Sequence, residues 1–249
     1  MILGYVVMTF LYYCIEYFGI DAGSTLDASE LYAFHYYAPY WELFARLLPF
    51  ICVLNFGYQN AENKKRGTYH HVSLRVGAKE YWKSMTYANL ILTFVQMEMA
   101  SILSMLLNRF AFQDTGIFFE GAKGCSAYWK NMTESMNYRW EELHIESPWI
   151  YLVFFSLMCS VFCMALSHML FAISLYIKKN GLWIFVIAGA ISLMFFYAQY
   201  MIGYDVLADV VVYPYGEQSG IPTLIIWISM ILIGNILIAN KLKRWEHEE

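Results

Sequence analysis

Apolar residues in this 249-residue chain come in long unbroken runs, without the alternation of strands or the one-face stripe of surface helices. A helix needs about 20 apolar residues to cross the hydrocarbon core of a bilayer. Six runs qualify: residues 1–20, 40–58, 84–107, 148–177, 182–202 and 221–240. Each is apolar all round, which suits a helix surrounded by lipid. Backbone in lipid must satisfy its own hydrogen bonds, so these runs are predicted as α-helices. Pro49 is expected to kink the second. The fourth is long enough to tilt or protrude. The pattern predicts an all-α polytopic membrane protein, a single transmembrane domain over residues 1–249 with six spans. No internal repeat is visible. The first run has no basic stretch before it and no A-x-A site after it, so it is expected to stay as a spanning helix.

The connections sort their charge. Residues 59–83 carry Lys64, Lys65, Arg66, Arg75, Lys79 and Lys83; Lys178 and Lys179 follow in another turn, and Lys241, Lys243 and Arg244 close the chain. These are eleven of the sixteen Lys and Arg. Residues 21–39 and 203–220 hold only acids: Asp21, Asp27, Glu30, Asp205, Asp209 and Glu217. Basic connections stay in the cytoplasm. Both termini and the 59–83 loop are therefore expected inside, with the long 108–147 loop outside. An even number of spans agrees with that orientation.

Composition narrows the class. Apolar residues make up 59% and charged residues 14%, where soluble domains have about 45–50% and about 25%. The net charge of −4 argues against nucleic acid. The 19% aromatic content fits an interfacial belt, with Tyr36, Tyr37, Tyr40, Trp41, Trp149 and Tyr151 at run ends. Of five cysteines, only Cys125 lies in a polar loop, so no disulfide framework is expected. Cys159 and Cys163 share a helix face, but no His or carboxylate stands near them in sequence; they read as apolar packing residues, and no metal site is expected. Residues 203–220 are too short to span and suggest a re-entrant or interfacial piece.

Ionisable groups inside a membrane are costly, so each is a functional candidate. Glu16 and Arg46 fall toward the outer ends of antiparallel helices and suit a structural ion pair. Glu98, two residues after Gln96, has no partner nearby in sequence; it suits a polar translocation path or a proton carrier, or a carboxyl satisfied by a neighbouring helix. His168, beside Ser167, suits a hydrogen-bonded core position more than a ligand. Residues 116–123 imitate a phosphate-binding loop, but an extra Ala precedes Lys123 and no Ser or Thr follows it, so no nucleotide site is read there. Asn131-Met132-Thr133 is a glycosylation sequon, relevant in a eukaryotic source. Adjacent His70 and His71 would point apart on a helix, and Glu141-Glu142 lacks the companion motifs of membrane proteases. No Ser-His-Asp or Cys-His catalytic set is present, and no enzymatic role is expected of this chain.

Within the basic loop, residues 69–82 alternate at roughly helical spacing, which predicts either a short amphipathic helix on the inner leaflet or a charge-rich connector. The string E-N-K-K-R-G-T followed by S-L-R-V-G-A-K-E-Y-W, set after the second of six spans, resembles the permease subunits of type-2 ABC transporters. Matching positions are Glu62, Gly67, Thr68, Leu74 and Lys79, with Arg66 and Arg75 beside them; Arg75 or Val76 stands where the family often has Pro. The resemblance implies a short cytoplasmic coupling helix gripped by a separate ABC ATPase that binds ATP and magnesium. It also implies a permease homodimer, or a pair with a similar subunit, in the plasma membrane of a bacterial cell. This chain itself would need no cofactor. A Met- and Tyr-rich interior suits a hydrophobic or amphipathic cargo, such as an exported peptide or a lipid-like molecule. Two other classes fit the same runs: a proton-coupled secondary transporter carried by Glu98, and a membrane scaffold or immunity protein.

Overall fold

A computed structural model describes residues 1–19, 28–29, 31–34, 38–65, 75–112, 143, 147–177, 181–202 and 220–246. Seven α-helices and no strand occur among them: α1 (Ile2–Glu16), α2 (Trp41–Cys52), α3 (Tyr58–Lys65), α4 (Ala78–Ala111), α5 (Pro148–Ser174), α6 (Trp183–Ile202) and α7 (Gly220–Glu246). Three helices are long and apolar enough to cross a membrane: Lys79–Ala111, Pro148–Ser174 and Ile225–Arg244. Ile2–Glu16 and Trp183–Tyr197 are apolar but shorter. The expected loop at 59–83 and the runs on either side of it change most. The second run does not stop near residue 58: a π-helical turn at Val53–Gly57 leads from α2 into α3, which ends at Lys65. The third begins at Ala78, so it takes in residues 78–82 of the 69–82 stretch, whose residues 69–74 lie outside the described residues. Gly77 adopts φ +87, a left-handed conformation that breaks the backbone just before α4 starts. Residues 78–82 are the opening of α4.

Local chemistry explains several boundaries. Pro148 occupies the first turn of α5, where a missing N–H costs nothing, and the Ser147 carbonyl accepts from the Tyr151 amide at 3.0 Å. Glu80 sits in the first turn of α4, and Lys243 and Arg244 in the last turn of α7, each suiting the helix dipole. Pro49 lies inside α2 and removes a rung of its hydrogen-bond ladder. Next to Ala45, whose carbonyl loses its helical partner to the proline, the Ser192 hydroxyl donates to the Arg46 carbonyl at 2.9 Å.

The described residues fall into two compact units. The first is drawn from Met1–Ala45, Gln96–Cys159 and Val206–Ile221. Its least expected feature is the short segment 31–34. This is non-helical backbone, yet Leu31, Tyr32, Ala33 and Phe34 are all buried. Three polar side chains on one face of α4 hold it. The Tyr32 hydroxyl donates to Ser101 Oγ at 2.9 Å, the Ala33 amide to Ser104 Oγ at 2.9 Å, and Asn108 Nδ2 to the Leu31 carbonyl at 2.7 Å. The Tyr5 hydroxyl of α1 donates to the Ala33 carbonyl at 2.6 Å. Tyr5, Phe34 and Phe44 complete the cluster, with Tyr5 stacked on Phe44 at 4.5 Å. Irregular backbone survives among apolar helices only when protein groups satisfy it.

The second unit is drawn from Arg46–Val95, Ser160–Asp205 and Pro222–Glu249. Trp82, Phe171 and Leu175 form its buried cluster, with Tyr81, Met85, Tyr176, Ile238 and Leu242 against it. The opening of α4 therefore packs beside the closing turns of α5 and α7. The Tyr176 hydroxyl donates to the Leu237 carbonyl at 2.7 Å. At the same end, α3 meets the turn before α6. Asn60 Nδ2 donates to Ser174 Oγ at 2.8 Å, Tyr58 and Phe185 rings lie 5.5 Å apart, and a Cβ on Gly181 would fall 3.1 Å from Glu62 Oε1.

Surface chemistry is inverted relative to a water-soluble protein. On α4, the large apolar side chains Tyr87, Ile91, Val95, Met99, Ile102, Leu106 and Phe110 are exposed. Its buried face carries Asn89, Thr93, Ser101, Ser104 and Asn108. Helices in lipid associate in this way, through small and polar residues inside and apolar ones outside. An apolar surface of this kind is untenable in water. The helices have the character of a membrane protein.

Candidate functional site

In the second unit a cavity of about 520 Å³ opens between α4, α5 and α7. Helix α4 contributes Lys79, Lys83, Thr86, Tyr87 and Leu90; α5 contributes Val161, Met164, Ala165 and His168; α7 contributes Ile231, Asn235, Ile238 and Leu242. These positions recur three or four apart because each helix presents one face to the cavity. Here His168 Nε2 and Asn235 Oδ1 join α5 to α7 at 3.1 Å. A proton on Nε2 makes this a hydrogen bond. Gly234, next to Asn235, brings the α7 backbone against the His168 ring; a Cβ there would collide with it. His168 Nδ1 is buried without a hydrogen-bond partner among the described residues.

Beside the cavity lies a buried polar knot. Ser167 Oγ donates to Asn89 Oδ1 at 3.0 Å, and Thr93 Oγ1 approaches Ser167 Oγ at 3.1 Å while also bonding the Asn89 carbonyl at 2.8 Å. Ser167 also reaches the Cys52 carbonyl at 3.3 Å, at the start of the π-helical turn. The network ties α2, α4 and α5 together at one level of the second unit. Its members read as structural: each hydroxyl satisfies another group in an apolar interior.

The residues singled out in the sequence are distributed, not convergent. Glu98 is half-buried in the first unit, where Ser156 Oγ donates to its Oε2 at 3.3 Å. Gln96 is also half-buried, and its two-residue offset turns it from Glu98 around the helix. Tyr32 lies in the same unit, and burial pushes its phenol well above the ordinary range, so it acts as a neutral donor. Arg46 places its guanidinium 4.7 Å from the centre of the Phe196 ring. Glu16 and Arg46 fall in separate compact units. His168 alone of the intramembrane candidates lines the cavity. Of the coupling positions, Glu62 is half-buried on α3, Arg75 is exposed just before Gly77, and Lys79 is exposed at the cavity. Arg66, Gly67, Thr68 and Leu74 lie outside the described residues, as do His70, His71, the 116–123 string, the sequon, Cys125, Glu141 and Glu142.

Cys52, Cys159 and Cys163 are buried free thiols, and Cys52 Sγ points at the Cys163 carbonyl at 3.7 Å. Among the described residues no three His, Cys, Asp or Glu gather as a metal set would. Sequence reasoning aimed at ionisable groups passed over Asn89, Thr93, Ser101, Ser104, Asn108 and Asn235. Their spacing was the available signal: polar residues three or four apart within an otherwise apolar run. Compared with known proteins, the chain matches no protein-family model, no curated protein and no solved structure.

Proposed function

We propose that this chain is a six-span transmembrane permease subunit, driven by a separate cytoplasmic ATPase and moving a hydrophobic or amphipathic cargo. The supporting observation is the construction of one end of the second unit. The closing turns of α5 meet α3 on one side, which also packs on α6 and the turn before it, and the opening of α4 and the closing turns of α7 on the other. These are the segments that bear, or border, eleven of the sixteen Lys and Arg. A basic connector that only set topology would need no such platform. A rigid platform suits a docking surface through which a soluble motor moves the attached helices. Glu62, Arg66, Gly67, Thr68, Leu74, Arg75 and Lys79 carry the coupling role in this reading, and a second permease copy completes the pathway. The buried polar faces of α4 and α5 would line or brace that pathway.

The test is a mild-detergent pull-down of the tagged full-length chain from its native host. A stoichiometric cytoplasmic ATPase is expected, with capture lost in Glu62→Lys or Gly67→Trp variants that still insert. Recovery of the chain alone, under conditions that preserve known membrane complexes, would sink the reading. One observation favours a second reading. Glu98 is a carboxylate within an apolar helix, in contact with Ser156, and a proton-coupled carrier would use such a group.

A further inference from the structure

We infer that the cavity between α4, α5 and α7 is a groove for an anionic glycerophospholipid, taken from the leaflet that meets the basic end of the second unit. The inference stands on the groove itself and is independent of any ATPase.

Charge comes first. Lys79 and Lys83 are one helical turn apart on α4, both exposed, and both border the groove at one end. No carboxylate is among the described residues lining it. Glu80 neighbours both on the α4 surface but is not among the groove's lining residues. Two ammonium groups at the mouth of an otherwise uncharged lining favour a phosphate, and basic clefts between membrane helices hold anionic headgroups in this way.

Polarity then falls along the groove. Because Trp82 packs with Leu175 and Leu242, Lys79 and Lys83 stand level with the closing turns of α5 and α7. Thr86, His168 and Asn235 come next, and Leu90, Val161 and Ile231 lie farther on. The sequence of cation, neutral polar groups and hydrocarbon wall matches phosphate, glycerol ester and acyl chain in order.

Size and access agree. From Lys79 to Leu90, eleven residues at about 1.5 Å each give a groove roughly 16 Å long. One leaflet contributes about half of the ~30 Å hydrocarbon core. The volume of about 520 Å³ lies in the usual range of roughly 300–1,000 Å³ for small-molecule sites. Tyr87, Val161 and Ile231 are all exposed at its rim, so the groove opens sideways, toward where lipid would lie.

The experiment uses the purified full-length chain in detergent, delipidated, with native mass spectrometry as the readout. Phosphatidylglycerol and phosphatidylcholine of identical acyl chains are titrated separately. The wild type is expected to prefer phosphatidylglycerol. Lys79→Gln with Lys83→Gln should weaken phosphatidylglycerol about tenfold or more and leave phosphatidylcholine unchanged. Lys79→Arg with Lys83→Arg should keep the preference. Val161→Trp, which fills the apolar end, should weaken both lipids; Leu90→Trp serves if that variant fails to elute as a single species. An undiminished preference in the double Gln variant would overturn the headgroup assignment. Unchanged phosphatidylglycerol binding in the filled variants would remove the acyl chain from the groove. Displacement of the lipid by inorganic phosphate at matching concentration would reassign the site to a free anion.

Discussion

Glu98 is the residue at which two driving forces for transport make opposite demands. Its Oε2 accepts from Ser156 at 3.3 Å, and glutamine keeps an acceptor oxygen in nearly the same place while removing the titratable proton site. Under the ATP-driven reading, Glu98→Gln should fold normally, change stability by about 1 kcal/mol or less, and retain ATP-dependent transport in reconstituted vesicles. If transport instead requires an imposed proton gradient and collapses in Glu98→Gln, the carboxylate is the carrier and the ATPase reading falls. The sequence singled out Glu98 because an intramembrane carboxylate is expensive. It left undetermined which helix satisfies it, since Ser156 is 58 positions away and only folding sets them side by side. The same limit held for His168: its placement in an apolar run was visible, its partner Asn235 was not.

At the scale of elements, close packing of α5 against α7 turns on a single missing methyl. Gly234 faces the His168 ring so closely that a Cβ has no room. Overpacking of this kind costs about 1–3 kcal/mol, against a gain of at most ~1 kcal/mol from the better helix propensity of alanine. Gly234→Ala should therefore lower the thermal midpoint of the purified protein. Combining it with His168→Ala, which removes the ring, should recover part of the loss, a non-additivity expected of residues in contact. A Gly234→Ala protein as stable as wild type, alone and in the pair, would mean that the two helices sit farther apart. Apolar runs located α5, α6 and the start of α7 to within a few residues because lipid-spanning length leaves little freedom, while α7 runs on through polar residues to Glu246, past the expected end at 240. Polar flanks misled at α3 and α4, where hydrophilic residues continue the helix beyond the apolar run. Tyr58–Lys65 reads as loop by hydropathy and folds as helix, because Asn60 and Tyr58 find partners on neighbouring elements. The buried segment 31–34 was the least legible: its sequence is short and mixed, and its support comes from Ser101, Ser104 and Asn108 some seventy residues later.

For the whole molecule, the decisive quantity is topology. Six spans predict that both termini, residues 66–74 and residues 178–180 share one side of the membrane, and that 113–142 and 203–219 share the other. Packing within the second unit bears on one part of that expectation: Trp82 near the start of α4 belongs to the cluster against which Leu242, near the end of α7, packs, so those two segments occupy one end. Charge supports it independently, since acids alone populate 21–39 and 203–220 and positive flanks are retained on the cytoplasmic side. The two arguments are separable by experiment. Reporter fusions after residues 70, 130, 179, 210 and 249 should read inside, outside, inside, outside, inside. Neutralising Lys64, Lys65 and Arg66 together should weaken that bias without moving the helices relative to one another, because packing of Trp82, Phe171 and Leu175 does not depend on charge. A reporter at 249 on the opposite side from one at 70 would break the six-span plan. It would also break the basic end on which both the docking platform and the lipid groove depend, since Lys79, Lys83 and Leu242 would then no longer face the same leaflet.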